Sequence, residues 1–244
     1  MRNSLFALFL LVAPFAAWAS GGEGPELEHA DIDLTDQASL QRGAKYFVNY
    51  CMGCHTLKYA RYNRVAADIG ITEAQLEEFL IFGDARSGEL MTNSLRPEDG
   101  EKWFGTAIPD LTLVTRWRSP DWLFTYLKSY YVDDSRPYGV NNLVFPDVGM
   151  PHALADLQGV QEAVHADGGH DGGGHITGLK LVEPGTLTPE EYDNMARDIT
   201  NFLTYVGEPI KLERRRLGVY VLLFLAVLGY LSYLLKKEYW KDVH

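Results

Sequence analysis

Cys51-Met52-Gly53-Cys54-His55 constrains this chain more than any other stretch. A Cys-x-x-Cys-His run in an exported protein is the attachment signature of a c-type haem. On a helical turn, residues three apart share a face, so two thiols can add to the two vinyl groups of one porphyrin. His55, the next residue, can then place an imidazole nitrogen on the iron. The chain has two cysteines in all, so both belong to this site and none remains for a disulfide. A thioredoxin-like redox pair would need a βαβ context, and half a zinc site would need two further ligands at suitable spacing. The sequence offers neither convincingly.

The ends of the chain say where such a site would work. Residues 1–19 read as a signal peptide: Arg2, then an apolar run of 14 residues from Leu5 to Trp18, then Ala17-Trp18-Ala19 as an A-x-A cleavage site. An uncleaved N-terminal anchor is the competing reading, but a run of that length interrupted by Pro14 is short for a bilayer. A second run, Leu217 to Leu235, holds 19 uncharged residues, about 29 Å as a helix, which predicts one C-terminal transmembrane helix. Arg214, Arg215 and Arg216 flank one end and Lys236 and Lys237 the other, so the basic flanks do not orient it; Tyr220, Tyr233, Tyr239 and Trp240 suit interfacial belts. The signal peptide orients it instead. It puts residues 20–213 on the periplasmic side of a bacterial inner (cytoplasmic) membrane, with 214–244 as anchor and short cytoplasmic tail.

About 190 residues suffice for one domain with its own core. The formal charge is -11, and loss of Arg2 with the signal makes it -12. That surplus argues against nucleic acid and suits a basic soluble partner if the acidic groups gather near the site.

Between the ends, helical signals dominate. Thr35 or Asp36 caps a helix to Tyr50, with Leu40, Ala44, Phe47 and Val48 as its stripe. Gly43, inside that helix, marks close approach of another helix. Thr72 and Gln75 form a capping box for a short helix ending near Phe82, with Gly83 beyond it. Residues 84–106 read as loop. Ser119-Pro120 starts a helix to about Tyr131, whose apolar side is Leu123, Tyr126, Leu127 and Tyr130. Asp133 to Gly149 is rich in turn residues, including an Asn-Asn pair. Gln158 to Gly185 shifts to Gly, Asp and His; His165, His170 and His175 match no zinc-ligand spacing, so the stretch reads as a mobile surface insertion. Thr188 and Glu191 form a second capping box, opening a helix that buries Tyr192, Met195, Ala196, Ile199, Phe202, Leu203 and Val206 until Gly207 and Pro209 end it.

A haem with two strong protein ligands is suited to passing electrons, whereas an open sixth position suits gas or peroxide. Met52 lies in the attachment loop, Met195 on a buried helical face and Met91 in a weakly structured loop. Met150, in Gly149-Met150-Pro151, sits in an irregular segment able to hold a thioether against a haem face, and His152 is the runner-up. Tyr59 and Tyr62 could line a haem edge or simply pack. Arg116 and Arg118 could neutralise propionates or lie exposed.

The blocks Leu40-Gln41-Arg42-Gly43, Cys51-x-x-Cys54-His55, Tyr59 and Tyr62, Pro109-Asp110-Leu111-Thr112, Arg116-x-Arg118, Gly149-Met150-Pro151 and Gly207-Glu208-Pro209 before one membrane helix together resemble the cytochrome c1 family, bacterial type. That family supplies the haem subunit of ubiquinol-cytochrome c reductase, the bc1 complex. The resemblance covers nearly all of the chain after the signal. It implies a mainly α, class I cytochrome c-like haem domain with long loop insertions, plus the C-terminal helix. It implies one haem c held by thioethers from Cys51 and Cys54, axial ligands His55 and Met150, a propionate partner in Arg118, and a Pro109 carbonyl accepting the His55 ring N–H. The implied partners are cytochrome b, the Rieske iron-sulfur subunit and a soluble or tethered cytochrome c, within a dimeric complex; the chain has no quinol site of its own. A free-standing anchored cytochrome serving an oxidase, or a haem sensor with an open sixth site, are the alternatives. Some bacterial relatives carry an extra cysteine pair near the Met loop; it is absent here, which leaves that loop to be held by packing alone.

Overall fold

A computed structural model of the chain describes residues 25–166 and 176–242. The expected signal peptide, and His170 and His175, lie outside the described residues.

Helix α1 (Gln37–Tyr46) opens on Asp36, whose side chain accepts from the Ser39 N–H at 3.0 Å; Asp36, not Thr35, is the cap. The helix then loosens into a π-helical turn, Phe47–Cys51, that delivers the first cysteine. Strand β1 (Leu57–Arg61), α2 (Tyr62–Asp68), α3 (Glu73–Phe79), β2 (Leu90–Met91) and α4 (Pro97–Phe104) follow. Both bonds of the Thr72–Gln75 capping box form, but α3 ends at Phe79, short of Phe82. The loop expected over 84–106 is half ordered: β2 pairs antiparallel with β1, Leu57 opposite Met91, and α4 begins on Pro97 with Glu98 and Asp99 in its first turn.

Helices α5 (Val114–Trp117) and α6 (Pro120–Lys128) lead to β3 (Tyr130–Val132), which pairs with β4 (Val140–Asn142). Ser119 caps α6 by accepting from the Trp122 N–H at 3.1 Å. Leu123, Tyr126, Leu127 and Tyr130 are all buried, although the helix stops at Lys128 and Tyr130 belongs to a strand.

After α7 (Ala155–Gln158) comes the largest departure from expectation. Residues 159–165 and 176–184 form an antiparallel hairpin, β5 (Gly159–His165) with β6 (Ile176–Pro184), where a mobile insertion is expected. Val160, Val164, Leu179, Leu181 and Val182 supply strand-forming residues that the Gly, Asp and His of the intervening sequence obscure. The hairpin is tied to the body by Gln161, whose Nε2 donates to the Lys128 and Tyr130 carbonyls, 2.9 Å each.

Helix α8 (Pro189–Gly207) closes the domain with both capping-box bonds formed at Thr188, and all seven residues of its expected stripe are buried. It crosses α1 at Gly43, with Phe47 against Phe202 at 5.9 Å between centroids and Arg42 forked onto Asp198 at 2.6 and 2.9 Å. The core sits between these two helices, with α6 closing a third side. Helix α9 (Lys211–Tyr239) begins just after Pro209 and has no buried residue; it is long and apolar enough to cross a membrane and exceeds the apolar run at both ends.

Candidate functional site

The π-helical turn leads directly into the attachment loop. Cys54 and His55 both donate their backbone N–H to the Cys51 carbonyl, at 3.1 and 2.8 Å, so Cys51, Cys54 and His55 wind round one tight turn. All three face a single cavity, whose walls are otherwise mainly apolar, with Phe104 from α4, Ile108, Pro109 and Met150.

His55 is buried, and its Nδ1 lies 2.8 Å from the Pro109 carbonyl oxygen. Since a carbonyl only accepts, Nδ1 carries the proton, leaving the Nε2 lone pair for a metal. The carbonyl is itself held in place. Asp110 accepts from Thr56 Oγ1 (2.7 Å), Lys58 N (2.7 Å) and Thr112 N (3.1 Å), and Leu111 N donates to the Thr56 carbonyl at 2.9 Å. Burial alone would raise the Asp110 carboxyl, but these bonds outweigh it and hold it below its ordinary range. Burial also lowers His55, against opposing contributions from Pro109 and Asp110, which favours the neutral imidazole that metals bind. Cys51 is pushed up to about 12 by burial and by Cys54, the opposite of an activated redox thiol.

Met150 receives a hydrogen bond: Tyr126 Oη donates to its Sδ at 3.4 Å. The Tyr126 and Tyr130 hydroxyls lie 2.6 Å apart. Burial raises both phenols, Tyr126 to about 12, so both keep their protons at neutral pH. The loop that carries Met150 is organised by Asn142, which is fully buried: its Oδ1 accepts from Ser129 Oγ and from the backbone N–H of Val144 and Phe145 at 3.1 to 3.2 Å. Asn141 Oδ1 accepts from Asp147 N at 2.9 Å. Packing alone is therefore not what holds this loop; two buried amides bind its backbone. The Asn-Asn pair is visible in the sequence, but as a turn signal, and nothing there says its side chains point inward.

The remaining candidates fall elsewhere. Tyr59 points outward from β1 and is 67 % exposed, with the Lys58 ammonium 5.1 Å from its ring centroid. Tyr62 is buried, but beneath the attachment loop, donating to Met52 Sδ at 3.5 Å. Neither lines the cavity, because strand alternation turns one outward and the start of α2 packs the other under Met52. His152 stacks on Tyr130 at 4.5 Å with ring planes 2° apart and does not line the cavity either. Met91 is buried in β2 and Met195 in the core.

Arg118 does not line the cavity either. Its guanidinium lies over Trp117 (4.0 Å), Trp122 (4.8 Å) and Phe145 (5.6 Å), and Trp122 stacks on Tyr126 at 5.0 Å. Arg116 is instead engaged with Glu208 at 3.1 Å. The Arg118 Nε is buried without a hydrogen-bond partner. Buried donors are rarely left so, and this one asks for an anionic acceptor. An apolar cavity lined by an imidazole, a thioether and two thiols fits a haem, and the unpartnered Arg118 Nε is a donor that a propionate would satisfy.

Residues 29–243 match the cytochrome C1 family. A cytochrome c1 of Allochromatium vinosum is 65 % identical over 100 % of both chains. The protein named ammonia monooxygenase gamma subunit in Nitrosomonas europaea is 46 % identical, again over 100 % of both. A cytochrome c1 of Rhodospirillum rubrum is 28 % identical over 85 % of this chain and 83 % of its own. The chain belongs to the cytochrome c1 family.

Proposed function

We propose that Cys51 and Cys54 bind one haem c covalently, that His55 and Met150 are its axial ligands, and that the chain takes one electron from a Rieske iron-sulfur centre and gives it to a soluble or tethered cytochrome c. Membership of its family makes the chain the electron-transfer subunit of a bc1 complex. The haem supplies the one-electron couple. The chain's residues do the rest. Pro109 fixes the tautomer and orientation of His55 and makes it a better donor. Met150 would supply the second protein ligand to the iron, an arrangement that suits electron transfer over ligand binding. Arg118 neutralises a propionate, and the apolar walls exclude water.

The observation that carries this reading is the placement of a tautomer-locked His55 and of Met150 on one apolar cavity with both cysteines. Helix α9 anchors the chain in the inner membrane, and a signal peptide at residues 1–19 would put the haem domain on the periplasmic side. The chain works as part of a quinol-cytochrome c oxidoreductase, with quinol oxidised in the cytochrome b and Rieske partners and the complex dimeric.

Isolation from membranes in mild detergent tests this. The chain is expected to co-purify with cytochrome b and Rieske subunits, and its band to keep haem stain after denaturing electrophoresis. A chain that purifies alone, with its haem still reduced by quinol-linked enzymes, would make it a free-standing carrier instead.

A further inference from the structure

The Tyr126 ring is held on three sides. Trp122 stacks on it (5.0 Å, 14°), Tyr130 meets it edge-on (5.4 Å, 72°), and Phe145 does so at 6.5 Å and 67°. Its own carbonyl accepts from Asn142 Nδ2 at 2.8 Å. A ring so confined has little freedom to turn its hydroxyl away from Met150 Sδ, 3.4 Å distant.

The direction of the bonds follows from counting protons. Each phenol has one proton and an oxygen that also accepts. Tyr130 Oη lies 2.6 Å from Tyr126 Oη, and Tyr126 Oη alone reaches the sulfur. If Tyr126 donated to Tyr130, the thioether would receive nothing and the Tyr130 proton would have no acceptor on these contacts. Both protons are used only when Tyr130 donates to Tyr126 and Tyr126 donates to Met150. A phenol whose oxygen accepts a bond is the stronger donor, so the first link strengthens the second.

We propose that Tyr126, polarised by Tyr130, is a positioning residue that sets how strongly the Met150 thioether donates to iron, and thereby tunes the reduction potential of the electron-carrying centre. This rests on the reading of Met150 as axial ligand. A thioether sulfur has two lone pairs; one goes to the metal and the Tyr126 proton occupies the other. The hydrogen bond draws density from the sulfur, and a weaker donor favours ferrous over ferric iron, so the tyrosine pair raises the potential. It also fixes which lone pair faces the cavity.

Equilibrium redox titration of the purified complex tests the proposal, with the far-red thioether-to-ferric-iron charge-transfer absorption as a separate report of ligation. Tyr126→Phe keeps the ring and its stacking and removes only the proton. Because sulfur is a weak acceptor, the expected effect is about a threefold fall in the ferrous-to-ferric ratio at fixed poise, ~28 mV downward at about 59 mV per tenfold, with the band retained but displaced. Tyr130→Phe should shift the potential the same way by less, since Tyr126 remains. An unchanged or raised potential in Tyr126→Phe, with the band retained, overturns the proposal. Should Tyr126→Phe lose the band, Tyr130→Phe decides: a fall supports the relay and no change overturns it. If the parent protein lacks the band, or Met150→Leu leaves the potential where it was, the ligand reading itself is wrong and the proposal falls with it.

Discussion

Asn142 Nδ2 donates to the Tyr126 carbonyl at 2.8 Å, joining the buried side chain that orders the methionine loop to the helix whose tyrosine touches the methionine. The same amide accepts from Val144 and Phe145 of that loop. Loop and helix therefore share one anchor. Asn142→Ala strips four hydrogen bonds and leaves several buried groups unpaired, at about 1–3 kcal/mol each before relaxation or water entry. The expected loss is about 3 kcal/mol of stability, and Met150 should become displaceable: the reduced variant should bind carbon monoxide where the parent does so poorly. A variant as stable and as closed to carbon monoxide as the parent would show that the loop is held by other means.

At the helix crossing, a Cβ on Gly43 would lie 2.1 Å from the Asp198 carbonyl oxygen and 2.6 Å from Phe202 Cβ. Both obstacles belong to the α8 backbone or the atom next to it, so no side chain can swing aside. Gly43→Ala gains helix propensity of about 1 kcal/mol, but the two helices must part. Overpacking of this kind costs about 3 kcal/mol, so the net change is destabilising by ~2 kcal/mol. It should also stretch the Arg42–Asp198 fork. Thermal unfolding followed by far-ultraviolet circular dichroism measures this, and a variant more stable than the parent would mean that the crossing yields without loss.

Readability from sequence followed the range of the forces involved. Capping boxes at Thr72 and Thr188 bond neighbours three residues apart, and both form as their residues require. The α8 stripe and Gly43 were open to reading because one helical period and one missing side chain encode them. Helix α4 is hard to see in the sequence although Pro97, Glu98 and Asp99 mark its start, because Gly100 and a length of 8 residues weaken the pattern. The π-helical turn before Cys51 leaves no compositional trace. The Tyr126 contact with Met150 and the inward Asn142 depend on chain segments 24 and 16 residues apart meeting in space. No local rule gives their orientation.

Asp193 predicts a pH dependence. Its carboxylate meets Lys128 of α6 and, at 2.7 Å, Arg197, while Lys128 also bonds Glu28 of the N-terminal segment. Burial would raise the carboxyl, but the hydrogen bonds and charges of Lys128 and Arg197 outweigh it and place it below its ordinary 3.8. A carboxyl depressed on folding stabilises above its unfolded pKa and loses that contribution as pH falls through the folded one. Asp193→Asn should thus cost about 1 kcal/mol at pH 7, with the deficit constant down to about pH 5 and closing below 3.8. Denaturant titrations of parent and variant across that range measure it; a deficit that persists unchanged at the acid end would mean the carboxylate charge is not the stabilising element.

Arg118 combines a buried, unpaired Nε with three aromatic faces, and the two features respond differently to substitution. A guanidinium beside a haem favours the state with more negative charge, which is the reduced one. Arg118→Ala removes that field and should lower the potential, by about tenfold in the redox ratio or ~59 mV. Arg118→Lys keeps the charge but loses the planar donor and its stacking on Trp117 and Trp122. Its potential should fall less than that of the alanine variant, while its thermal stability falls by nearly as much. Equal potentials in all three proteins would remove Arg118 from the electrostatics of the site and leave it as the packing partner of two tryptophans.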